Sequence, residues 1–137
     1  MRRVAILPAL GALLLLDPRG SHAAGPWEAQ AADPDAASLD TLLQAKWAAM
    51  KTALRNGNIA EAVSFIVERR RADYETAFRL VAGSLSNVDA VLTTIELVAV
   101  RNNSATYEMR RADDGAVMSF QVRFTIDRDG VWRLEVF

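Results

Sequence analysis

The chain has no cysteine and one histidine, His22, among its 137 residues. Without cysteine there is no disulfide, no thiolate nucleophile and no cysteine-ligated metal. His22 lies in a segment that we expect to be removed during export, which leaves the mature chain without histidine. A Ser-His-Asp triad and a histidine-rich metal site are then excluded, so we expect neither a metal site nor a cofactor.

The sequence also lacks an excess of charge of either sign, with 16 Lys or Arg against 17 Asp or Glu. Such a balance gives no basic footprint for DNA or RNA, so we expect no nucleic-acid partner. The acidic turns at Asp113-Asp114 and at Asp127 and Asp129 are too short to supply about six oxygen ligands to calcium, and they indicate turn chemistry.

The first 23 residues have the three parts of a secretory signal peptide. Arg2 and Arg3 form a positive start, residues 4–16 are an uncharged apolar run, and Ser21 and Ala23 place small residues before a cleavage site. Cleavage after Ala23 fits better than cleavage after Ala24. The alternative is an uncleaved membrane anchor, but the apolar run has 13 residues, whereas a spanning helix needs about 20. The prediction is a periplasmic or secreted protein without a stable membrane anchor.

Residues 24–38 are rich in Ala, Pro and Asp and predict a flexible tether. Trp27 within it could fold back onto the domain or lie exposed, and the sequence leaves both open. We expect ordered structure to begin near Ser38, as a helix N-cap. Residues 39–137 then form one domain.

The first part of this domain has the period of helices and the second part that of strands. A first helix is indicated by an apolar series that ends before Gly57, namely Leu39, Leu42, Leu43, Trp47, Met50 and Leu54. Asn58 and Glu61 form a capping box that begins a second helix, and a third starts near Ala72 or Asp73. From Thr94 onward, apolar and polar residues alternate in four short strands joined by tight turns. The fold class is therefore α+β, with three helices packed on a four-stranded antiparallel meander.

One face of the predicted sheet is apolar, and the helices must cover it. Its members are Ala105, Tyr107, Met109, Met118, Phe120, Val122, Phe124, Ile126, Trp132, Leu134 and Val136. The opposite face mixes both charge signs and suits contact with water.

Three stretches have a combination that is typical of one superfamily. They are the helix around Trp47 followed by Asn56-Gly57-Asn58, the strand Ala105-Thr106-Tyr107, and the ending Asp127-Arg128-Asp129-Gly130-Val131-Trp132-Arg133-Leu134. Together they resemble the nuclear transport factor 2-like (NTF2-like) superfamily, the cystatin-like α+β cone that includes ketosteroid isomerase. The resemblance covers roughly residues 39–137 and implies a curved sheet with a conical cavity under the helices. A fold of this kind hosts many functions, so the resemblance alone assigns none.

In enzymes of that superfamily the cavity holds an acid/base pair. The candidate lining residues here are aromatic: Trp47, Tyr74, Phe78, Tyr107, Phe120, Phe124 and Trp132. All lie on apolar faces, which favours ordinary core packing over ligand contact. Asp73 and Glu108 neighbour the two tyrosines but should point away from them. With no carboxylate at an inward strand position, the resemblance transfers no catalytic residue.

A second candidate site is a basic patch of Arg69, Arg70, Arg71 and Arg79, which could attract an acidic partner. The acidic residues nearby favour local ion pairs instead.

We therefore expect an exported, non-catalytic domain, not an enzyme, that binds a partner protein or a small apolar ligand. The alternative is a small isomerase- or cyclase-type enzyme with a tyrosine-lined cavity. A homodimer through the outer sheet face is a third hypothesis, because its mixed charges suit a modest, wet interface. Those charges belong to Glu108, Arg110, Arg123, Arg133 and Glu135.

Overall fold

The computed structural model describes residues 34–137 and confirms the α+β architecture, with helices packed against a four-stranded antiparallel sheet. The helices are α1 (Pro34–Arg55), α2 (Ile59–Ser64), α3 (Arg71–Leu80) and α4 (Val88–Val91), with 3₁₀ turns at Glu68–Arg70 and Ala82–Asn87; the strands are β1 (Ile95–Arg101), β2 (Ser104–Asp113), β3 (Ala116–Ile126) and β4 (Trp132–Val136). The predicted signal peptide, its cleavage site and Trp27 lie outside the described residues. No helix within residues 34–137 is long and apolar enough to cross a membrane.

The sheet is a meander in the order β1-β2-β3-β4, as predicted. Asp113 pairs with Ala116 across the two-residue turn Asp114-Gly115. Both turn residues have positive φ, 49° and 82°, as a type I′ turn requires, and this turn type matches the right-handed twist of the two strands. This turn joins the two longest strands of the sheet.

Helix α1 begins at Pro34, so the prediction that it starts at Ser38 is wrong. Proline is favoured in a first helical turn because its missing N–H has no helical partner there. Asp35 adds a negative charge beside the positive end of the helix dipole. Residues 34–38 of the predicted tether are therefore helical, and Ser38 lies inside α1.

The start of α2 is the predicted capping pair in a modified form. The Asn58 side-chain oxygen accepts from the Glu61 backbone N–H at 3.1 Å, and the Asn58 side-chain amide donates to the Glu61 carboxylate at 2.9 Å. The Asn58 backbone N–H bonds instead to the carbonyl of Ala53 at 2.8 Å. The cap thereby fixes the tight connection between α1 and α2.

The core lies between α1 and the inner sheet face. Leu43, Trp47, Met50 and Leu54 are buried at spacings of four, three and four residues, which places them on one side of α1. They pack with buried residues of β2, β3 and β4, namely Ala105, Tyr107, Met109, Val122, Phe124 and Leu134. Fully burying one large apolar side chain stabilises the fold by roughly 1.5–3 kcal/mol, so this layer holds the domain together.

The predicted inner face is only partly covered. The prediction that Met118 and Ile126 are core residues is wrong, because both are exposed, Met118 by 47%. Met118 lies near the tip of the β2–β3 hairpin, and Ile126 pairs with Trp132 at the far end of β3. Trp132 is half-buried. The helices cover the middle of this face and leave its two ends open.

Both sides of the sheet receive extra hydrogen bonds. Beside β4, the Leu134 N–H donates to Phe65 and the Leu134 carbonyl accepts from Val67, both at 2.8 Å. Near β1, three α1 side chains donate to backbone carbonyls: Gln44 to Ile95 at 3.0 Å, Trp47 to Thr93 at 2.9 Å and Lys51 to Leu92 at 3.1 Å. These bonds fix α1 along the sheet and position the pocket at its C-terminal end.

Candidate functional site

An apolar pocket of about 230 Å³ opens beside the C-terminal half of α1. Its walls come from α1, α3, the second 3₁₀ turn, α4 and the residue after β4. Ser84 is its one polar side chain among hydrocarbon neighbours, and the full lining is Leu54, Phe78, Val81, Ser84, Leu85, Val88, Val91, Leu92 and Phe137. Such a lining suits an apolar guest and offers almost nothing to an ion.

One wall of the pocket is fixed by an aromatic cluster. The Phe137 ring stacks on Tyr74 with centroids 4.6 Å apart and meets the edge of Trp47 at 5.7 Å. The Tyr74 hydroxyl accepts from the Phe137 backbone N–H at 3.2 Å. Offset and edge-on ring contacts each stabilise by about 0.5–1.5 kcal/mol beyond the area they bury, so Phe137 is held firmly at the pocket wall.

The opposite wall, α4, is tied to α1 by an ion-pair cluster. Asp89 bonds Lys51 at 3.1 Å and also contacts Arg55. Hydrogen bonds from Lys51 and Arg55 hold the pKa of Asp89 below its usual value. The cluster is partly exposed, so its stabilisation is screened by solvent, but it sets the spacing between α4 and α1 across the pocket.

The rim of the pocket is apolar and open to solvent. Val81 and Val91 are each 50% exposed, and the neighbouring Leu80 is 82% exposed. An aliphatic rim of this kind gives an apolar ligand a route inward without crossing charged groups.

Few of the predicted lining residues meet at this pocket. Phe78 lines it, while Trp47 and Tyr74 lie behind Phe137. The others lie elsewhere: Tyr107 and Phe124 pack edge-on in the core at 5.6 Å, Phe120 lies under the Arg111 guanidinium at 4.5 Å, and Trp132 is at the far end of the sheet. Sequence reasoning missed the aliphatic members, although Val81, Leu85, Val88 and Leu92 recur at spacings of four, three and four.

Each of the four arginines of the predicted basic patch has a partner of its own. Arg69 contacts Glu135, Arg70 pairs with Asp73 at 3.5 Å, and Arg79 pairs with Glu75 at 2.5 Å. Arg71 donates to the carbonyl of Ile66 at 3.0 Å. Each guanidinium is engaged locally.

A carboxylate does reach a tyrosine, at a position that sequence analysis did not identify. The Tyr107 hydroxyl donates to Asp40 Oδ1 at 2.8 Å, and Gln44 donates to the same oxygen at 3.3 Å. Burial, and then the adjacent Asp40, raise the pKa of Tyr107 above its usual value. Asp40 lies on α1, 67 residues before Tyr107, so neither the alternation of the strands nor proximity along the chain indicates this contact.

The Asp40–Tyr107 pair lies far from the apolar pocket. Asp40 borders a shallow groove of about 430 Å³ between the first half of α1 and β1. Leu54, in the pocket wall, is 14 residues further along α1, which is about 21 Å at 1.5 Å per residue. Pocket and pair are therefore separate sites.

The acidic turn before β4 is held by internal bonds. Arg133 bonds Asp129 at 2.6 and 2.8 Å and Asp127 at 3.2 Å. The Glu68 N–H also donates to Asp127 at 2.9 Å, and bonds from the backbone N–H groups of Glu68 and Arg128 lower the pKa of Asp127. Among residues 34–137, no group of three or more His, Cys, Asp or Glu side chains is arranged to hold a metal ion.

No protein-family model matches this chain, and comparison with curated proteins and with solved structures finds no similar protein. The resemblance to the NTF2-like superfamily stays a prediction from the sequence.

Proposed function

We propose that this protein is an exported, non-catalytic binding domain of NTF2-like type that takes a small apolar ligand in the pocket beside α1. Export rests on the signal-like pattern of residues 1–23. The observation that supports binding is the pocket itself, with hydrocarbon walls and a single polar side chain, Ser84.

The size of the pocket favours a ligand of one ring or a short alkyl chain. An apolar cavity of about 150 Å³ accepts benzene, and this one has about 230 Å³. Each methylene transferred from water into such walls stabilises the complex by about 0.8 kcal/mol. A charged group would lose its hydration there without gaining a partner.

Titration calorimetry with toluene, a neutral apolar molecule of one ring, tests this proposal. We expect saturable binding by the wild-type protein. Val81→Trp fills the pocket from its rim and should weaken binding about tenfold or more. Val98→Trp is the matched control, because Val98 on β1 is 52% exposed, as Val81 is 50% exposed, but lies outside the pocket.

Binding that is unchanged by Val81→Trp, or weakened equally by both variants, would contradict the proposal. A partner protein that inserts an apolar side chain would use the same pocket, and Val81→Trp would block that partner as well.

A second candidate is supported by the Asp40–Tyr107 hydrogen bond at 2.8 Å. An isomerase- or cyclase-type enzyme could use the carboxylate to move a proton and the tyrosine as hydrogen-bond donor. Tyr107→Phe and Asp40→Asn should each abolish turnover of any substrate found, and Tyr74→Phe should not. Unchanged turnover in Tyr107→Phe would exclude this residue as a catalytic group.

A further inference from the structure

The edge of β3 is uncovered near the tip of the β2–β3 hairpin. β4 pairs with β3 only from Arg123 to Ile126, whereas β2 pairs with β3 along its whole length. Val117, Met118, Ser119, Phe120 and Gln121 therefore have a strand on one side, and no strand of residues 34–137 lies on the other.

Elsewhere the sheet protects its edges and here it does not. An open edge offers unpaired N–H and C=O groups to any other strand, and proteins usually blunt it with charge, proline, a bulge or a covering segment. Phe65–Val67 covers part of β4 through Leu134, and β1 has an irregularity between Leu97 and Ala99. Residues 116–122 contain no charged residue and no proline, and the pairing of β2 with β3 shows no irregularity.

The side chains on this edge are apolar and exposed. Val117 is 73% exposed and Met118 47% exposed. Phe120, on the same face as Met118, is half-buried under Arg111. The contact of this end with the helices is a hydrogen bond from Arg111 to the Val91 carbonyl of α4 at 3.3 Å, and Val117 and Met118 stay incompletely buried in the single chain.

We propose that a second copy of this chain binds here, with the two β3 edges pairing antiparallel about a two-fold axis through Ser119. In this register Ser119 faces Ser119 of the second copy, Met118 faces Phe120, and Val117 faces Gln121. The two sheets then join into one continuous sheet of eight strands, and each surface patch contacts itself as a two-fold interface requires.

The register follows from the faces of the strand. Directly opposed residues of an antiparallel pair lie on the same face of the sheet. Because side chains alternate between the two faces, a two-fold axis perpendicular to the sheet must pair residues whose sequence numbers differ by an even number. Centring on Ser119 pairs five residues and stops before Arg123, where β4 takes over. It also places Met118 against an aromatic ring, a contact of about 0.3–1.5 kcal/mol.

Charge supports the same arrangement. The acidic turn Asp113-Asp114 of one copy then ends next to Arg123 of the second copy, whose side chain is 36% exposed and also bonds its own Glu135 at 2.7 Å. The paired segment itself has no charge that would repel its own copy.

Because the wild-type chain has no cysteine, single cysteine variants test the register directly. Opposed Cα atoms in antiparallel strands are about 4.5–5.5 Å apart, within the range of about 4.4–6.8 Å that a disulfide spans. Under mild oxidation Ser119→Cys should form a covalent dimer. Val117→Cys should not, because the two copies of residue 117 are separated by four positions, about 14 Å.

Matched controls make the test specific. Gln121→Cys alone should form no covalent dimer, but an equimolar mixture with Val117→Cys should form a mixed disulfide-linked dimer. In sedimentation, the wild-type protein should show a reversible monomer–dimer equilibrium and Met118→Lys should shift it to monomer, with unchanged circular dichroism.

Three results would overturn the proposal. The first is that folded Ser119→Cys forms no cross-link. The second is that Val117→Cys forms a cross-link as fast as Ser119→Cys does. The third is that the wild-type protein is a dimer and Met118→Lys does not dissociate it. The last would favour the outer sheet face as the dimer interface.

Discussion

The Tyr107 hydroxyl and its hydrogen-bond partner, the Asp40 carboxylate, come from distant parts of the chain. The Tyr107 ring is fully buried, and its hydroxyl depends on Asp40 of α1 at 2.8 Å. Tyr107→Phe should lower the free energy of unfolding by about 1.5–3 kcal/mol, since a partly buried hydrogen bond to a carboxylate is lost. Urea denaturation measures the loss.

Tyr74→Phe is the matched control for this change. The Tyr74 hydroxyl has longer contacts, 3.2 and 3.4 Å to the backbone of Phe137, and its removal should cost less, about 0.5–1.5 kcal/mol. Equal costs for the two variants would show that the Asp40 bond adds nothing to stability.

Asp129 makes the stability of the fold depend on pH in acid. The hydrogen bonds from Arg133 lower its pKa from 3.8 to about 2. A carboxyl whose pKa is lower in the folded state stabilises the fold above its unfolded pKa and loses that contribution as pH falls through the folded one. The melting temperature of Asp129→Asn should therefore lie below that of the wild type at pH 7 and meet it near pH 2.

The control for this titration is Asp114→Asn. Asp114 is an exposed turn residue that makes no ion pair with the described residues 34–137. At a protein concentration low enough to keep the chain monomeric, its variant should follow the wild-type pH profile. If Asp129→Asn also follows that profile, its bonds to Arg133 do not contribute to stability in solution.

At the scale of the elements, the Asn58 cap connects α1 to α2. Asn58→Ala removes both side-chain bonds to Glu61 and should cost about 1 kcal/mol of unfolding free energy. Asn56→Ala is the matched control, two residues earlier and exposed. If both variants lose a similar free energy of unfolding, the loss comes from replacing an asparagine by alanine in this segment and not from the cap.

The elements also show which sequence signals can be interpreted locally. The turn at Asp114-Gly115 and the cap at Asn58 were predictable because each depends on bonds between residues a few positions apart. The start of α1 was predicted four residues late, because a search for an N-cap serine and an apolar period passes over Pro34. The spacing of Val81, Leu85, Val88 and Leu92 does not by itself indicate a pocket wall, because the chain there forms a 3₁₀ turn (Ala82–Asn87) followed by the short helix α4.

At the scale of the whole molecule, burial of the sheet decides the cost of core substitutions. Phe124 is fully buried, so Phe124→Ala should cost about 3–5 kcal/mol. Trp132 was expected to be core but is half-buried, and Trp132→Ala should cost about 1–2 kcal/mol, because only the buried part of the side chain loses transfer free energy. Urea denaturation of both variants shows which one loses more free energy of unfolding. A larger loss for Trp132→Ala than for Phe124→Ala would mean that the end of the sheet is covered in solution.

The sequence by itself determined the order of helices and strands, the meander, its turns and most of its inward residues, because periodicity and turn chemistry act over a few residues. It also determined that no cysteine is available for chemistry and that the single histidine is His22. Only the tertiary structure decided that Asp40 reaches Tyr107, that apolar residues of α1, α3, the second 3₁₀ turn and α4 enclose the pocket, and that Met118 lies beyond the cover of the helices. These features depend on how far each helix extends over the sheet, which is set by packing between segments distant in sequence and not by any local pattern.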